Sequence, residues 1–285
     1  VATTADFTDR ADAALASARG FLTSRPVLHN VILSLLHERA AHPEPGRYWV
    51  AREAGNVVGV AFQSPETFPA TITPMPDAAV EAVVGAIAAA GIDLPGVNGE
   101  AAVAACFAGQ WTEERNAAAV PVDGQRIYEL TSLVAPATVP GRLRPAVPHD
   151  LELVADWMGG FDRDTGERGS AEPDAIRRRL AAGRFWLWDA EGPTSMAAHT
   201  EPVAGVVRIH AVYTPPEHRR HGYATACVAS LSARLAAAGL RCILYADLGY
   251  PASNSIYRRI GYRAVAECVR YRFEGGSPDP GAGRR

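Results

Sequence analysis

The chain has 285 residues, a hydrophobic fraction of 48% and a formal net charge of -3 at pH 7. That apolar content is ample for a conventional buried core, and the length suits two domains of about 140 residues each. The slight acidic balance argues against nucleic acid as a partner, which selects a basic excess or a concentrated basic face. Four cysteines (106, 227, 242 and 268) occur without a C-x-x-C pair, which excludes a zinc site built on cysteine spacing and suits a reducing, cytoplasmic compartment. The opening VATTADFTDR lacks the basic flank and apolar stretch of a signal peptide. The most apolar helical window, residues 78–90, is broken by Glu81 and Gly85 and is too short to span a bilayer. A soluble protein with no membrane partner is expected.

In chain order, Val27, Val31, Leu35 and Leu36 form a helical stripe within 27–40. Residues 48–51 and 57–62 read as two strands of a hairpin, joined by the turn 53–56. Asp77 is expected to cap a helix over 78–90 that Gly91 ends, and a further helix spans about 100–114. A strand over 126–133 closes this half. The following VAPATVPGRLRPAVP carries four prolines and one glycine, which places a domain boundary near residue 138. The expected organisation is a domain over 1–138, a second over 139–274, and a disordered tail over 275–285 with almost no apolar area to bury.

The second half begins with a short strand at Leu143. Asp150 is expected to cap a helix containing Leu151, Leu153, Val154 and Trp157, and a helix over 173–182 carries Arg177, Arg178 and Arg179 on a solvated face. Strands over 184–189 and 195–199 flank the turn at Gly192 and Pro193, and 203–213, rich in β-branched residues, is the central strand. After Pro215 and Pro216, Val228, Leu231 and Leu235 recur at three and four residues, so a helix over 223–238 buries one side against a sheet. A strand over 241–247, a short helix over 254–260 and a strand or hairpin over 262–273 complete an α/β chain, a mixed sheet flanked by helices. Trp157, Trp186 and Trp188 are expected in the core.

The informative string is IHAVYTPPEHRRHGYATACVASL, an apolar strand, a proline-bounded turn and an amphipathic helix. Gly222 permits close backbone approach, and the amides of the first helical turn with the helix dipole suit a diphosphate. Read from residues alone, such a turn is a weak signal that serves packing more often than phosphate binding. There is no G-x-G-x-x-G, no P-loop lysine, no G-x-S-x-G elbow and no H-E-x-x-H.

The string resembles the acetyl-CoA-binding signature of the GCN5-related N-acetyltransferase (GNAT) family, Arg/Gln-x-x-Gly-x-Gly/Ala, met by Arg219, Gly222 and Ala224. The resemblance covers about 141–273. It implies that the amides from Arg220 through His221, Gly222, Tyr223, Ala224 and Thr225 hold the coenzyme A diphosphate, and that backbone groups near Val212 and Thr214 pair with the pantetheine arm like an added strand. PASNSIYRRIGY, residues 251–262, resembles the family's C-terminal signature. It implies Tyr257 as the general acid that protonates the departing thiolate, with Ser253 and Asn254 capping the short helix and touching the cofactor. One departure is Tyr250, where many relatives carry asparagine.

Acyl transfer to an amine also needs a proton acceptor. Relatives with a glutamate on the central strand have no carboxylate counterpart here; His210 is the candidate, with Glu201, Asp247 and His199 behind it, and a satisfied structural histidine remains the alternative. Period two puts His210 on one face with Arg208 and Val212, opposite Ile209 and Ala211. In the first half, RYWVAREAGNVVGVAF resembles the second-and-third-strand hairpin of the same fold, but no cofactor string follows it. The resemblance thus implies tandem copies, the first degenerate, and an acetyl-CoA-dependent N-acetyltransferase without a metal and with an unread amine acceptor. An acyl-CoA-sensing or partner-binding module on the same fold, and an aminoacyl-tRNA-dependent ligase, are the rivals.

Overall fold

The computed structural model describes residues 2–166 and 172–275, with the side chains of 251–253 outside that description. The Ser253 side chain and the tail from 276 onward therefore lie outside the described residues. In chain order the elements are β1 (Thr3–Thr8), α1 (Ala11–Ser24), α2 (Asn30–Ala41), β2 (Arg47–Glu53), β3 (Asn56–Gln63), β4 (Ala70–Ile72), α3 (Asp77–Ala89), β5 (Gly96–Glu100), α4 (Ala101–Arg115) and β6 (Ala118–Leu130). There follow β7 (Arg142–Pro145), α5 (Leu151–Thr165), α6 (Pro173–Ala181), β8 (Phe185–Asp189), β9 (Pro193–His199), β10 (Val206–Tyr213), α7 (Tyr223–Ala237), β11 (Arg241–Asp247), α8 (Pro251–Arg259) and β12 (Tyr262–Glu274). Among the described residues no helix is long and apolar enough to cross a membrane.

Two compact units divide the chain. One comprises Val1–Arg126, Asp247–Gly249 and the chain from Ala266; the other comprises Ile127–Ala246 and Tyr250–Val265. In the first unit, β1, β2, β3 and β4 pair antiparallel in turn, and β4 pairs parallel with β5 through Ala70↔Val97 and Thr71↔Asn98. The far side of β5 is covered by the end of β12, antiparallel from Cys268↔Glu100 to Arg272↔Gly96. Trp49, Val83, Ile87, Phe107 and Trp111 fill its core, and Phe273 stacks on Trp111 with ring centroids 5.3 Å apart.

The second unit repeats the pairing pattern: β7, β8, β9 and β10 are antiparallel in turn, and β10 is parallel to β11. The strand next to β11 is β6. Alternation along β8 sends Trp186 and Trp188 into the core under α7, with Val207, Val228, Leu231 and Leu244, and sends Phe185 and Leu187 to the other core, with Val154, Trp157, Met158 and Ile176. The three tryptophans are thus core residues. Arg177 and Arg178 are exposed as expected, whereas Arg179 lies over the Phe185 ring.

Two expected caps differ. Asp77 is the first helical residue of α3, with Pro76 in the cap position. Asp150 occupies the cap position of α5, but its carboxylate turns back to the Val147 amide (2.8 Å) and to both terminal nitrogens of Arg144 (2.7 and 2.9 Å). A two-pronged guanidinium outcompetes the amides of a helix start for a carboxylate. Arg144 also holds Asp189, so β7, β8 and α5 meet at one cation.

The Arg144 hydrogen bond is the largest influence holding the Asp150 carboxyl below its usual range, against the opposing effect of burial. A carboxyl whose folded value is depressed contributes stability above its unfolded value, near ~3.9, and loses it as pH falls through the folded value. Asp150→Asn is expected to cost about 2–3 kcal/mol at neutral pH by leaving Arg144 underpaired. Urea unfolding at stepped pH checks it: the gap between wild type and variant should hold above pH ~4 and narrow below it.

Candidate functional site

The site begins where two strands part. The β10–β11 ladder runs from Val206↔Arg241 to Ile209↔Leu244, while β10 continues to Tyr213 and β11 to Asp247. Beyond Ile209, the edge of β10 that faced β11 is left without that partner. On its other edge β10 pairs Ile209 with His199, His210 with Ala198 and Tyr213 with Met196, so three steps on one strand meet two on the other. The extra residue is a β-bulge, with Ala211 at φ +49°.

The bulge reverses side-chain alternation. Val207 and Ile209 belong to the core under α7, and Val212 packs against that same core, whereas Ala211 and Tyr213 belong with α5 and α6. The expectation that His210 shares a face with Val212, opposite both Ile209 and Ala211, is therefore corrected: the period-two rule holds up to His210 and fails at the inserted residue.

Past the bulge, Thr214 bonds through Oγ1 to the buried Ser195 hydroxyl (2.9 Å), and its carbonyl accepts Arg219 Nε (2.9 Å). Arg219 also pairs with Asp164 of α5 (2.5 Å) and lies over the Tyr213 ring. Its guanidinium thus ties the turn to α5 and β10, leaving Arg220, exposed and at φ +67°, as the neighbouring arginine without an ion pair among the described residues. Gly222 follows at φ +83°. A Cβ there would stand 3.0 Å from Val139 Cγ1, so both conformation and space favour glycine. The first amide to rejoin the helical ladder is Ala226 N, donating to Gly222 O at 3.0 Å, which leaves Tyr223, Ala224 and Thr225 as helix-start donors. The His221 ring stacks on Tyr223 (5.6 Å). Left-handed residues at 220 and 222, three helix-start amides and the Arg220 guanidinium, without an ion pair among the described residues, make a cradle of donors of the kind that suit an anion.

The other arm of the parted strands leads from β11 into α8. Tyr257 is buried in the core under α7, between the rings of Tyr128 (6.4 Å) and Tyr262 (6.2 Å). Its hydroxyl has no hydrogen-bond partner among the described residues, and burial pushes the phenol up to about 12. The Tyr262 hydroxyl bonds Ser232 at 2.8 Å. Asn254, expected to touch the cofactor, is buried; its Oδ1 accepts the Tyr128 hydroxyl (3.0 Å) and its Nδ2 donates to the Tyr250 carbonyl (3.0 Å). Tyr250 donates its own hydroxyl to the Asp164 carbonyl (3.1 Å), a side-chain use that asparagine could not reach. Tyr128 and Asp164 carry no sequence signal, since each acts across more than 80 residues (126 to Asn254, 86 to Tyr250).

Gly261 sits at φ +103° in the turn between α8 and β12. The Ser132 carbonyl stands 1.8 Å from where its Cβ would be, and Thr131 N and Val134 N donate to Gly261 O (3.3 Å) and Ile260 O (3.0 Å). The segment after β6 is thus laid directly on the glycine of the C-terminal signature.

Among the proton-acceptor candidates, His210 is held well below the ordinary histidine value by burial, then by Arg208, Arg179, His199 and Arg184. Its neutral ring is thus the favoured form. Burial likewise lowers His199, whose Nδ1 lies 2.9 Å from the Thr200 carbonyl. Glu201 is paired with Arg184, and Asp247, at the end of β11, accepts the Gly249 amide. Among the described residues no group of three or more His, Cys, Asp or Glu side chains is placed to hold a metal.

Residues 190–271 match the family described as FR47-like protein, less than half of the chain. No curated protein matches it. Among solved structures, a GNAT-family acetyltransferase from Colwellia psychrerythraea is similar at TM-score 0.64 and 10% identity, covering 95% of this chain and 100% of that one. A GCN5-related N-acetyltransferase from Sphaerobacter thermophilus is similar at TM-score 0.62 and 17% identity, covering 96% and 97%. A tandem GNAT protein from the clavulanic acid biosynthesis pathway is similar at 0.59 and 12%, covering 96% and 100%. The parted β10 and β11, the bulge, the glycine turn at a helix start and these likenesses together identify the fold: a mixed α/β sheet flanked by helices, that of the GCN5-related acyl-CoA N-acyltransferases.

Proposed function

We propose that the chain is an acetyl-CoA-dependent N-acetyltransferase acting by direct transfer in a ternary complex, with its site at the parting of β10 and β11. The observation that carries this is the open edge of β10 beyond Ile209, which ends in the Gly222 cradle. An extended pantetheine arm fits a strand edge, and the diphosphate fits the cradle; Val212, Thr214 and the amides from Arg220 to Thr225 are assigned to these tasks. Arg219 holds the turn in place, and Arg220 and His221 supply charge and a ring.

In the reaction the amine nitrogen bonds to the acetyl carbon, and the carbon–sulfur bond breaks. The thiolate sulfur takes the Tyr257 phenolic proton, which solvent restores. The amine's surplus proton goes to His210, whose neutral ring burial favours, and leaves from there to water. A strand amide freed at the bulge is assigned to the oxyanion.

We read residues 139–274 as the active copy and 1–138 as a degenerate one. Support comes from the shared pairing pattern and from the first copy's turn, Thr73-Pro74-Met75-Pro76-Asp77, which has no glycine and puts a carboxylate at the start of α3. An anion there would meet like charge. The unpaired cysteines accord with a cytoplasmic setting.

Calorimetric titration of acetyl-CoA tests the reading at its first step: saturable binding to wild type is expected, and no binding of any acyl-CoA would end it. Gly222→Ala is expected to weaken that binding at least about tenfold, because the added methyl strains a left-handed residue by about 1–2 kcal/mol and narrows the cradle. Tight binding without thiol release across an amine panel (spermidine, glucosamine, lysine amide, a peptide N-terminus) would favour an acyl-CoA sensor instead.

A further inference from the structure

We infer that Tyr128 is a positioning residue for the reaction: its hydroxyl, carried on β6, fixes α8 so that Tyr257 meets the leaving group. The inference rests on the proposed general-acid role of Tyr257.

A helix of nine residues has too few internal bonds to hold a pose by itself, so α8 depends on what anchors it. The Tyr257 hydroxyl has no partner among the described residues, so neither is it steered by a bond of its own. What fixes it is its surroundings. The Tyr128 ring packs against Tyr257 at 55°, and the Tyr128 hydroxyl reaches Asn254, which lies three residues before Tyr257 and so on the same side of the helix. Asn254 passes the restraint on to the Tyr250 carbonyl at the helix start. At the other end of α8, residues 131–134 bond the Ile260 and Gly261 carbonyls. One short stretch of chain, 128–134, thus grips both ends of the helix that carries the acid.

A buried ring alone would not require this arrangement. Tyr128 is completely buried, and phenylalanine would fill the same volume without a hydroxyl to satisfy. The hydroxyl is explained by the asparagine it meets, and that asparagine by the helix it holds. Tyr262 supplies the contrast: its hydroxyl is spent on Ser232 of α7, away from α8.

The experiment measures thiol release from acetyl-CoA by the full-length protein, with water and with the best amine of the panel above. The variants are Tyr128→Phe, Asn254→Ala, Tyr257→Phe and the pair Tyr128→Phe/Tyr257→Phe. Tyr128→Phe is expected to lower kcat about tenfold with KM for acetyl-CoA within about twofold, as a displaced acid would. In the Tyr257→Phe background it should lower kcat no further. Asn254→Ala breaks the same bond from the other side, should give the same kcat loss, and serves alone if the tyrosine variant does not fold. A kcat within twofold of wild type for either bond-breaking variant, or an undiminished tenfold loss when Tyr257 is already phenylalanine, overturns the inference. A Tyr257→Phe enzyme as fast as wild type would instead overturn the general-acid reading on which it rests.

Discussion

Replacing Tyr257 by phenylalanine is expected to lower kcat by about 10²–10³ while leaving acetyl-CoA affinity within about threefold. The size follows from proton affinities. The phenol is pushed up to about 12 by burial, whereas a thiol in water lies near ~8.5, and full proton transfer across that gap would cost about 5 kcal/mol. In the same core, burial raises the Cys227 thiol in the same direction, to about 12. A thiolate brought out of water gains proton affinity by the same physics, which narrows that gap. Two observable consequences follow. Below pH ~11 no loss of activity should trace to ionisation of Tyr257, and the pH–rate curves of wild type and Tyr257→Phe should keep one shape at different heights. Equal kcat in the two proteins would remove the assignment.

Gly261→Ala should be the most damaging small substitution for stability in the second unit, at about 3–5 kcal/mol. Two effects combine: φ +103° is unfavourable for any residue with a Cβ, and that Cβ would stand 1.8 Å from the Ser132 carbonyl oxygen. The carbonyl has little room to retreat, because Thr131 and Val134 on either side are bonded to the turn. Gly222→Ala separates the two effects, since it is left-handed too but meets only a side-chain methyl at 3.0 Å. Urea unfolding should show a loss near 1–2 kcal/mol for that variant and several-fold more for Gly261→Ala. Similar midpoints for both would mean that Ser132 does not constrain the turn.

The second half was the more legible in sequence because its signals are local. The stripe of Val228, Leu231 and Leu235 shows α7, Gly239 its end, and the glycine-containing turn before it the cradle. The β2–β3 hairpin was readable for the same reason. Three features escaped, each because its cause lies elsewhere in the chain. The first residues of β6 contain Pro121 and Gly124, which read as loop, yet pair in the sheet. β1 is a polar run whose strand character comes from its partner β2. The bulge at Ala211 obeys no residue preference visible in VRIHAVYT, and it alone moved Val212 away from the His210 face. At the site, motif resemblance picked out the turn and Tyr257, but whether Arg219 faces solvent or Asp164, and whether Asn254 faces a ligand or Tyr128, are decided by tertiary packing.

The division of β6 and β12 between the units bears on how the protein is made. The first unit needs residues 268–272 to cover the edge of β5, and these are synthesised long after β5 itself. While the ribosome is still adding the second half, β5 remains an open strand edge, liable to pair with another nascent chain. Residues 127–134 leave the ribosome well before the α8 they will clasp. The first unit therefore cannot complete its sheet until residues 268–272 have been made.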